Sequence, residues 1–282
     1  MTKQRTIKNT VSIKGAGLQT GKNVTLTLKA SPPDSGINFI RTDLPNLPLL
    51  SVRSAGLAGY LKGPDRRTTL TMGPVEIQTT EHLMAALSGM SIDNAVVELD
   101  NVELPGLDGS ALGYVEILRK AGILEQDAAR KALEVREPVW CRGEDNILAV
   151  FPDDNFRISY TMSYGNKALG AGFFDIVLDE KKFASEIAPA RTFCLKGEAL
   201  LLMASGLGKG ANPENTLVVG KNGPFRNRFR FPDEPVRHKV LDLIGDLYLL
   251  GVPIKGHVVA IKSGHRLNVE MVKKLRNQKP VT

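Results

Sequence analysis

Hydrophobic and polar residues alternate along several short segments of the chain, a pattern typical of half-buried β-strands. The first such segment is residues 24–28 (VTLTL), and the turn-forming sequence PPDSG follows it at 32–36. Further strands are predicted at 94–99, 135–141, 148–151 and 158–162.

A second set of segments carries apolar residues at the spacing of a helix. In the first of them, Leu83 and Leu87 follow at this spacing, and Thr79 or Thr80 is placed to cap the helix start. Further helices are predicted at 112–121, 197–204, 236–250 and 268–276.

Residues 123–134 are charged and rich in alanine, with little periodicity, and we place a domain boundary there. On each side of this segment several predicted strands come before the helices. The pattern therefore predicts an α+β protein of two similar domains, residues 1–126 and 127–282, each with a β-sheet layer and helices.

The composition is that of a soluble globular protein, with 282 residues, 42% hydrophobic and 24% charged. Two cysteines, Cys141 and Cys194, exclude a disulfide framework. The longest apolar runs fall far short of the roughly 20 residues that a membrane span needs. The first residues lack the apolar core of a signal peptide. We expect a reduced, cytoplasmic protein.

The net charge of +7 favours anionic partners such as nucleic acid, phosphorylated metabolites or an anionic membrane surface. A basic RNA-binding module is one function class that fits this charge. Aromatic residues make up only 6% of the chain, which is few for stacking on bases. Charge alone therefore leaves nucleic acid open without favouring it.

His238, Asp242 and Asp246 follow one another at intervals of four residues in the predicted helix 236–250. They lie within an arc of about 80° on the side opposite the apolar stripe. Because side chains at i and i+4 are neighbours on a helix, a His and an Asp at this spacing can share a metal ion. The alternative interpretation is a solvated polar face whose acidic residues pair with Arg237 and Lys239.

Glu81 and His82 stand at the start of the first predicted helix. The positive end of a helix disfavours imidazolium, so His82 keeps a neutral nitrogen for a metal. Glu81 points about 100° away and is suited to act as a base on water beside that metal. Alternatively, Glu81 complements the helix dipole and His82 packs locally.

His265 lies in the sequence KSGHRLN, a predicted loop that leads into the last helix. Because Gly264 before it permits a tight backbone turn, His265 could face a cleft as a general acid. Alternatively, it caps the helix. His257, in an apolar strand-like segment, is interpreted as structural.

Two glycine-rich segments, 15–22 and 206–211, resemble phosphate loops, but their spacing or their context does not fit, so both are predicted to be turns.

Five segments together resemble one family, the UDP-3-O-acyl-N-acetylglucosamine deacetylases, which are zinc amidases of lipid A biosynthesis. The match runs in order over essentially the whole chain, and the two histidine-bearing helix motifs and SGH are specific in combination. The segments are QTTEHLMAAL (78–87), ELPGLDGSA (103–111), ARTFC (190–194), FPDEPVRHKVLDLIGD (231–246) and KSGHRLN (262–268).

The resemblance implies two α+β domains with the helices sandwiched between two sheets and a metal at the domain interface. By matching position, His82, His238 and Asp242 would be zinc ligands that leave a coordination position open. Glu81 would be the general base. His265 would be protonated, stabilising the oxyanion and then donating its proton to the leaving amine.

The same resemblance assigns roles to further residues. Asp246 would hold His265 in its charged form, and Thr192 would help to bind the oxyanion. Lys239 would meet a substrate phosphate or a nearby anionic group. An inserted strand–helix–strand near 193–219 would form a passage for the substrate's acyl chain, bordered by Phe193 and Leu195. Without the resemblance, the helix at 197–204 would be interpreted as an ordinary core helix.

The chain departs from the family pattern in three places: Gln19 stands where His is usual, Leu195 where Phe is frequent, and residues 53–70 match weakly. None of these touches the proposed zinc or acid–base residues. The resemblance implies a UDP-linked acylated amino sugar as substrate, with no nucleic acid, at most peripheral membrane contact, and a monomeric state. Zinc is the implied metal, and Fe(II) is the alternative because two His and one carboxylate also suit that ion.

Overall fold

The N-terminal part of the chain builds a five-stranded sheet. In the computed structural model, which describes residues 2–59, 67–165 and 167–277, the spatial order of its strands is β2 (Val11–Ala16), β3 (Asn23–Ala30), β9 (Ala95–Leu99), β4 (Ile37–Arg41) and β5 (Leu49–Ser51). Strand β9 pairs antiparallel with β3 and parallel with β4. Leu26 and Leu28 are fully buried, and the alternating residues of β3 are not. The predicted strands at 24–28 and 94–99 are confirmed.

A second large sheet forms from the C-terminal part. Its spatial order is β12 (Val139–Arg142), β13 (Ile147–Phe151), β19 (Ile254–Ile261), β14 (Phe156–Ser163) and β15 (Ala171–Val177), and β11 (Leu133–Glu134) pairs with β19. The strands predicted at 148–151 and 158–162 are confirmed. The single strand predicted at 135–141 is wrong, because the chain forms β11 and β12 with a break between them. Pro138, in that break, has no N–H to donate to a ladder.

Three smaller sheets complete the strands: β6 (Gly56–Gly59) with β7 (Thr68–Met72) and β8 (Val75–Gln78), β1 (Lys3–Ile7) with β10 (Ile123–Ala129), and β16 (Phe193–Leu195) with β17 (Leu217–Gly220) and β18 (Gly223–Pro224). Residues 123–134, which show little periodicity, contain a strand, because β10 pairs with the distant β1. The division at 126/127 stays a prediction, and this boundary falls inside β10.

The helices are α1 (Glu81–Gly89), α2 (Leu112–Ala121), α3 (Glu180–Lys182), α4 (Lys196–Ala204), α5 (Glu234–Tyr248) and α6 (His265–Arg276), with a π-helical turn at Phe183–Ile187. Every predicted helix is confirmed. The predicted threonine cap of α1 is wrong: the Thr80 hydroxyl donates to the Thr68 carbonyl, and that of Thr79 donates to Glu103. No helix of the described part of the chain is long and apolar enough to cross a membrane.

The helices form a layer between the two larger sheets, as the resemblance implied. Helix α5 packs on β14 and β15, α6 on β12 and β13, and α2 on β2. Helices α1 and α5 pack against each other, and Gly245 of α5 lies against the backbone at the start of α1. A Cβ atom at Gly245 would lie 1.9 Å from the carbonyl oxygen of Glu81. The missing side chain therefore lets α5 reach the start of α1 and brings the polar residues of both helices together.

Candidate active site

Three side chains from two helices converge at the contact between α1 and α5. The Nε2 atom of His238 lies 3.3 Å from Oδ1 of Asp242, and Nε2 of His82 lies 3.9 Å from the same oxygen. One ligand atom from each of the three residues lies within 4.8 Å of the others. All three residues are buried, so the interpretation of 236–250 as a solvated polar face is wrong for His238 and Asp242.

A backbone contact orients His238 for this arrangement. Its Nδ1 atom lies 3.0 Å from the carbonyl oxygen of Ala190. Because a carbonyl can only accept, Nδ1 carries the proton and Nε2 keeps its lone pair facing His82 and Asp242. Metal-bound histidines in proteins usually make this kind of bond with the other ring nitrogen. Two imidazoles and a carboxylate fit a catalytic zinc or Fe(II) site.

The local electrostatics keep these groups in ligating form. Burial lowers the pKa of His82 to about 3, and His238 beside it acts in the same direction. Burial also lowers the pKa of His238. For Asp242, burial alone would raise the pKa, but His238 and Lys239 outweigh it and hold the pKa far below its usual range. Near neutral pH the site therefore offers two neutral imidazoles and one carboxylate.

Glu81 lies beside this cluster and lines the same cavity. Its Oε2 atom accepts a hydrogen bond from the backbone N–H of Thr68 at 3.1 Å. Burial raises the pKa of Glu81 to about 8, and the charges of Asp246 and Asp242 add to this effect. In its ionised form this carboxylate is thus a stronger proton acceptor than an ordinary one, and the Thr68 N–H helps to fix its position.

His265 reaches the cluster from a third helix. It is the first residue of α6 and does not lie in a loop. Its Nδ1 atom lies 2.7 Å from Oδ2 of Asp246, and its Nε2 atom lies 3.8 Å from Oδ2 of Asp242. Burial alone would lower the pKa of His265, but Asp246 and Asp242 outweigh it and raise the pKa to about 9. His265 is therefore an imidazolium at neutral pH. Asp246 is completely buried, with 0% of its surface exposed.

Lys239 lines the cavity and donates to Oδ2 of Asp242 at 2.7 Å. Burial alone would lower its pKa, but the Asp242 carboxylate outweighs it and raises the pKa above the ordinary value. Among the described residues, Asp242 is thus the anionic group nearest to this ammonium, and it is also a proposed metal ligand. Contact with a substrate phosphate stays a prediction.

The segment 190–195 runs along another wall of the cavity. Thr192 and Phe193 line the cavity, and Phe193 lies edge-on to the ring of His238 with 6.3 Å between centroids. Leu195, at the end of β16, packs on the hydrophobic core and is not among the described lining residues. The backbone N–H of Thr192 donates to Gly109 at 2.8 Å, which fixes this segment.

One large cavity has a volume of about 920 Å³, and the site residues that line it are Glu81, His82, Thr192, Phe193, His238, Lys239, Asp242 and His265. Apolar side chains from the segment 193–225 line one part of it, among them Leu202, Met203, Val218 and Phe225. Its lining also carries basic side chains, namely Arg67, Arg142, Arg226, Lys262 and Arg266. A ligand with an apolar chain and an anionic group matches this lining.

Helix α4 and its neighbours differ from the expectation for a core helix. None of its residues is buried, so the core interpretation of 197–204 is wrong. The glycine-rich turn that follows is confirmed, since Gly206 and Gly208 have φ values of 76° and 68°. Of the segment 15–22, residues 17–22 form the predicted turn, whereas Gly15 and Ala16 belong to β2. Gln19, the departure from the family pattern, accepts from the N–H of Gly208 at 3.1 Å.

Sequence reasoning missed several residues that hold the site together. Glu103 is buried and accepts from Thr79 and from the backbone N–H groups of Gln19 and Thr20. It anchors Thr79, which lies two residues before the start of α1. Thr68 belongs to the weakly matching segment 53–70, of which residues 60–66 lie outside the described part. Nothing in the local sequence marks Glu103 or Thr68 as part of the site, because each acts through contacts with residues far from it in the chain.

Comparisons with known proteins agree with the resemblance. The sequence model of the family described as "LpxC: UDP-3-O-acyl N-acetylglycosamine deacetylase" matches residues 4–277. A protein of Myxococcus xanthus (strain DK1622) named UDP-3-O-acyl-N-acetylglucosamine deacetylase is 41% identical over 273 residues, which cover 96% of this chain and 86% of the relative. One of the same name from Chlamydia felis (strain Fe/C-56) is 41% identical over 274 residues, 96% of each chain. The bifunctional enzyme LpxC/FabZ of Chlorobaculum tepidum is 37% identical over 97% of this chain and 64% of its own.

Proposed function

Because this chain belongs to the UDP-3-O-acyl N-acetylglycosamine deacetylase family, we propose that it hydrolyses the acetamide of UDP-3-O-acyl-N-acetylglucosamine. The products are acetate and UDP-3-O-acyl-glucosamine, and the reaction is the committed step of lipid A biosynthesis. The observation that carries the proposal is the convergence of His82, His238 and Asp242 beside Glu81 and His265 in one cavity.

His82, His238 and Asp242 would hold the metal, for which we propose zinc, with Fe(II) as the alternative in the cell. When bound, such a cation would supply a Lewis acid for the amide carbonyl and for the attacking water. The Ala190 carbonyl keeps the Nε2 lone pair of His238 directed to the ligand cluster. The carboxylate of Asp242 stays ionised because Lys239 is beside it.

Glu81 is the general base that takes a proton from the attacking water. A carboxyl group whose pKa lies near the working pH accepts a proton readily and can release it again. Burial supplies this property, since it raises the pKa of Glu81 to about 8. A cation on the neighbouring ligands favours the ionised carboxylate, which is the form that acts as a base.

His265 is the general acid. As the water oxygen bonds to the carbonyl carbon, the imidazolium stabilises the negative charge that develops on the carbonyl oxygen. When the C–N bond breaks, His265 gives its proton to the leaving nitrogen and acetate remains. Asp246 holds the ring and its charge through the 2.7 Å contact with Nδ1. Thr192 contributes to binding the oxyanion from the opposite wall.

The rest of the substrate is distributed along the cavity. The acyl chain lies against the apolar part, with Phe193 at its inner end and the inserted strand–helix–strand 193–219 around it. Leu195 supports this insert from outside the lining and tunes the chain length indirectly. The diphosphate of the UDP group pairs with Lys239 and the basic side chains of the cavity.

Cellular context follows from the same reaction. The protein acts in the cytoplasm as a monomer, with a small-molecule substrate and no nucleic acid partner. Its membrane contact is peripheral and involves α4. Leu200 and Leu201 on this helix are 61% and 66% exposed and do not line the cavity. Lys196 on the same helix and Arg226, which both lie over the ring of Phe225, supply positive charge for an anionic lipid surface.

The decisive experiment measures acetate release from UDP-3-O-acyl-N-acetylglucosamine before and after a chelator, with zinc or Fe(II) added back. We expect release that the chelator abolishes and that metal restores. Absence of release from folded, metal-loaded protein would refute the proposed substrate. The RNA-binding alternative predicts instead a salt-sensitive affinity for RNA that survives removal of the metal.

A further inference from the structure

Thr68 directs its three polar groups at the start of α1 and at residues of α5 and α6. It is the first residue of β7, and none of its surface is exposed. We infer that Thr68 is a positioning residue that holds the general base and the carboxylate behind the general acid in one fixed arrangement. This inference rests on the roles proposed above for Glu81, Asp246 and His265.

The side chain of Thr68 contacts His265, the proposed general acid, and Asp246, the carboxylate behind it. Its Oγ1 atom lies 2.6 Å from Oδ1 of Asp246 and 3.2 Å from Nδ1 of His265. An ionised carboxylate can only accept, so the hydroxyl proton goes to Asp246 and the oxygen lone pairs face His265. The hydroxyl thereby bonds Oδ1 of Asp246 and leaves Oδ2 to contact the imidazole at 2.7 Å.

The backbone of Thr68 holds Glu81, the proposed general base, by a hydrogen bond. Its N–H group donates to Oε2 of Glu81 at 3.1 Å, and its carbonyl accepts from the N–H of Thr80 at 3.3 Å. Both partners belong to the start of α1. One residue therefore connects Glu81 on α1 with Asp246 on α5 and His265 on α6.

The setting of Thr68 makes this connection stiff. Strand β7 is paired on both sides, by β6 and by β8, and Thr69 pairs with Gln78. The hydrogen bonds of Thr68 to Glu81 and Asp246 are buried, so water does not compete for them. Asp246 has one further amide donor, Nδ2 of Asn268 at 2.8 Å, and this bond goes to Oδ2. Loss of the Thr68 hydroxyl would thus leave Oδ1 of Asp246 without this donor and free the carboxylate to rotate.

The test compares Thr68→Val, which keeps the shape and loses the hydroxyl, with Thr68→Ser, which keeps the hydroxyl. Partners that orient catalytic groups typically contribute about 10-fold to 100-fold to activity. We expect kcat for acetate release to fall by about this factor in Thr68→Val, with KM changed less than about twofold and metal content unchanged. Thr68→Ser should retain kcat within about threefold of wild type. The control is Thr69→Val, because the neighbouring side chain of a strand points to the other face.

A second measurement does not depend on turnover. In nitrogen–proton correlation spectra of histidine-labelled protein, the Nδ1–H signal of His265 should move in Thr68→Val and stay near its wild-type position in Thr68→Ser. The signal of His257, which bonds Ser159 elsewhere, should not move. An unmoved His265 signal in Thr68→Val would overturn the inference, as would equal loss of kcat in the Val and Ser variants. If wild-type protein releases no acetate, the proposed function fails, and the spectra still decide the positioning role.

Discussion

The carboxylate of Glu234 forms a buried ion pair with the guanidinium of Arg191, with 2.9 Å between Oε1 and Nε. The same carboxylate accepts hydrogen bonds from the backbone N–H groups of Arg191 and Arg230. Arg191 lies between Ala190, whose carbonyl orients His238, and Thr192 on the cavity wall. This pair therefore fastens the segment that shapes one side of the site.

The first prediction concerns this pair. Glu234→Gln removes the negative charge and leaves the Arg191 guanidinium buried without a counterion. Breaking a buried ion pair in this way costs about 3–5 kcal/mol of unfolding free energy. Urea unfolding measures the change. The control is Glu134→Gln, whose partner Lys255 is exposed, and it should cost less than about 1 kcal/mol. Equal losses in both variants would contradict the structural role of the Glu234–Arg191 pair.

The second prediction concerns the contact between α1 and α5. Replacing glycine by alanine inside a helix usually stabilises it by about 1 kcal/mol. At Gly245 we expect destabilisation instead, since the added Cβ would meet the Glu81 carbonyl at 1.9 Å. Gly197→Ala in α4 is the matched control, because no atom lies within 4 Å of its Cβ position. Thermal unfolding of both variants would show opposite shifts of Tm. A stabilised Gly245→Ala would mean that the two helices are further apart.

The third prediction tests the metal ligands. His82→Ala, His238→Ala and Asp242→Ala should each lower the metal content after purification, because two remaining ligands hold a cation weakly. The control is His257→Ala, which removes a histidine that bonds Ser159 on the C-terminal sheet. Elemental analysis of folded protein gives the stoichiometry. Full metal content in His238→Ala would exclude this site.

The fourth prediction separates the general base from the ligands. Glu81→Gln keeps the size of the side chain and removes its capacity to accept the proton of water. We expect kcat to fall by about 10²-fold to 10⁴-fold, the usual contribution of acid–base catalysis, while the metal content stays at the wild-type level. Parallel loss of metal and activity would instead make Glu81 a ligand or a structural residue.

The fifth prediction concerns the exposed leucines of α4. Vesicles of phosphatidylcholine with phosphatidylglycerol should bind the protein more strongly than vesicles of phosphatidylcholine alone, because Lys196 and Arg226 lie over the exposed ring of Phe225 and attract anionic lipid. The double variant Leu200→Ser, Leu201→Ser should reduce sedimentation with these vesicles about tenfold, since both side chains lose apolar contact with lipid. Phe173→Ser, at a position 64% exposed on β15, is the control. Unchanged vesicle binding in the double variant would exclude α4 as the contact.

Local patterns predicted most of the elements. Periodicity predicted the strands 24–28 and 94–99 and all the helices. The order of apolar and polar residues within each element shows which of its sides is buried. The failures have a common origin. Strand β10 depends on β1, more than 100 residues away in the chain, and the break near Pro138 depends on how β11 and β12 join different neighbours.

The sequence by itself determined which residue types the site contains. The four-residue spacing in α5 puts His238, Asp242 and Asp246 on one side of the helix, and Glu81 and His82 have fixed directions on α1. Which of these groups meet was decided by the tertiary structure, through the close approach at Gly245. Their protonation also depends on it, because burial and neighbouring charges, not residue type, move the pKa values of Glu81 and His265. A polar contact such as Thr68 with Asp246 joins residues 178 positions apart, and only the packed fold brings such atoms within bonding distance.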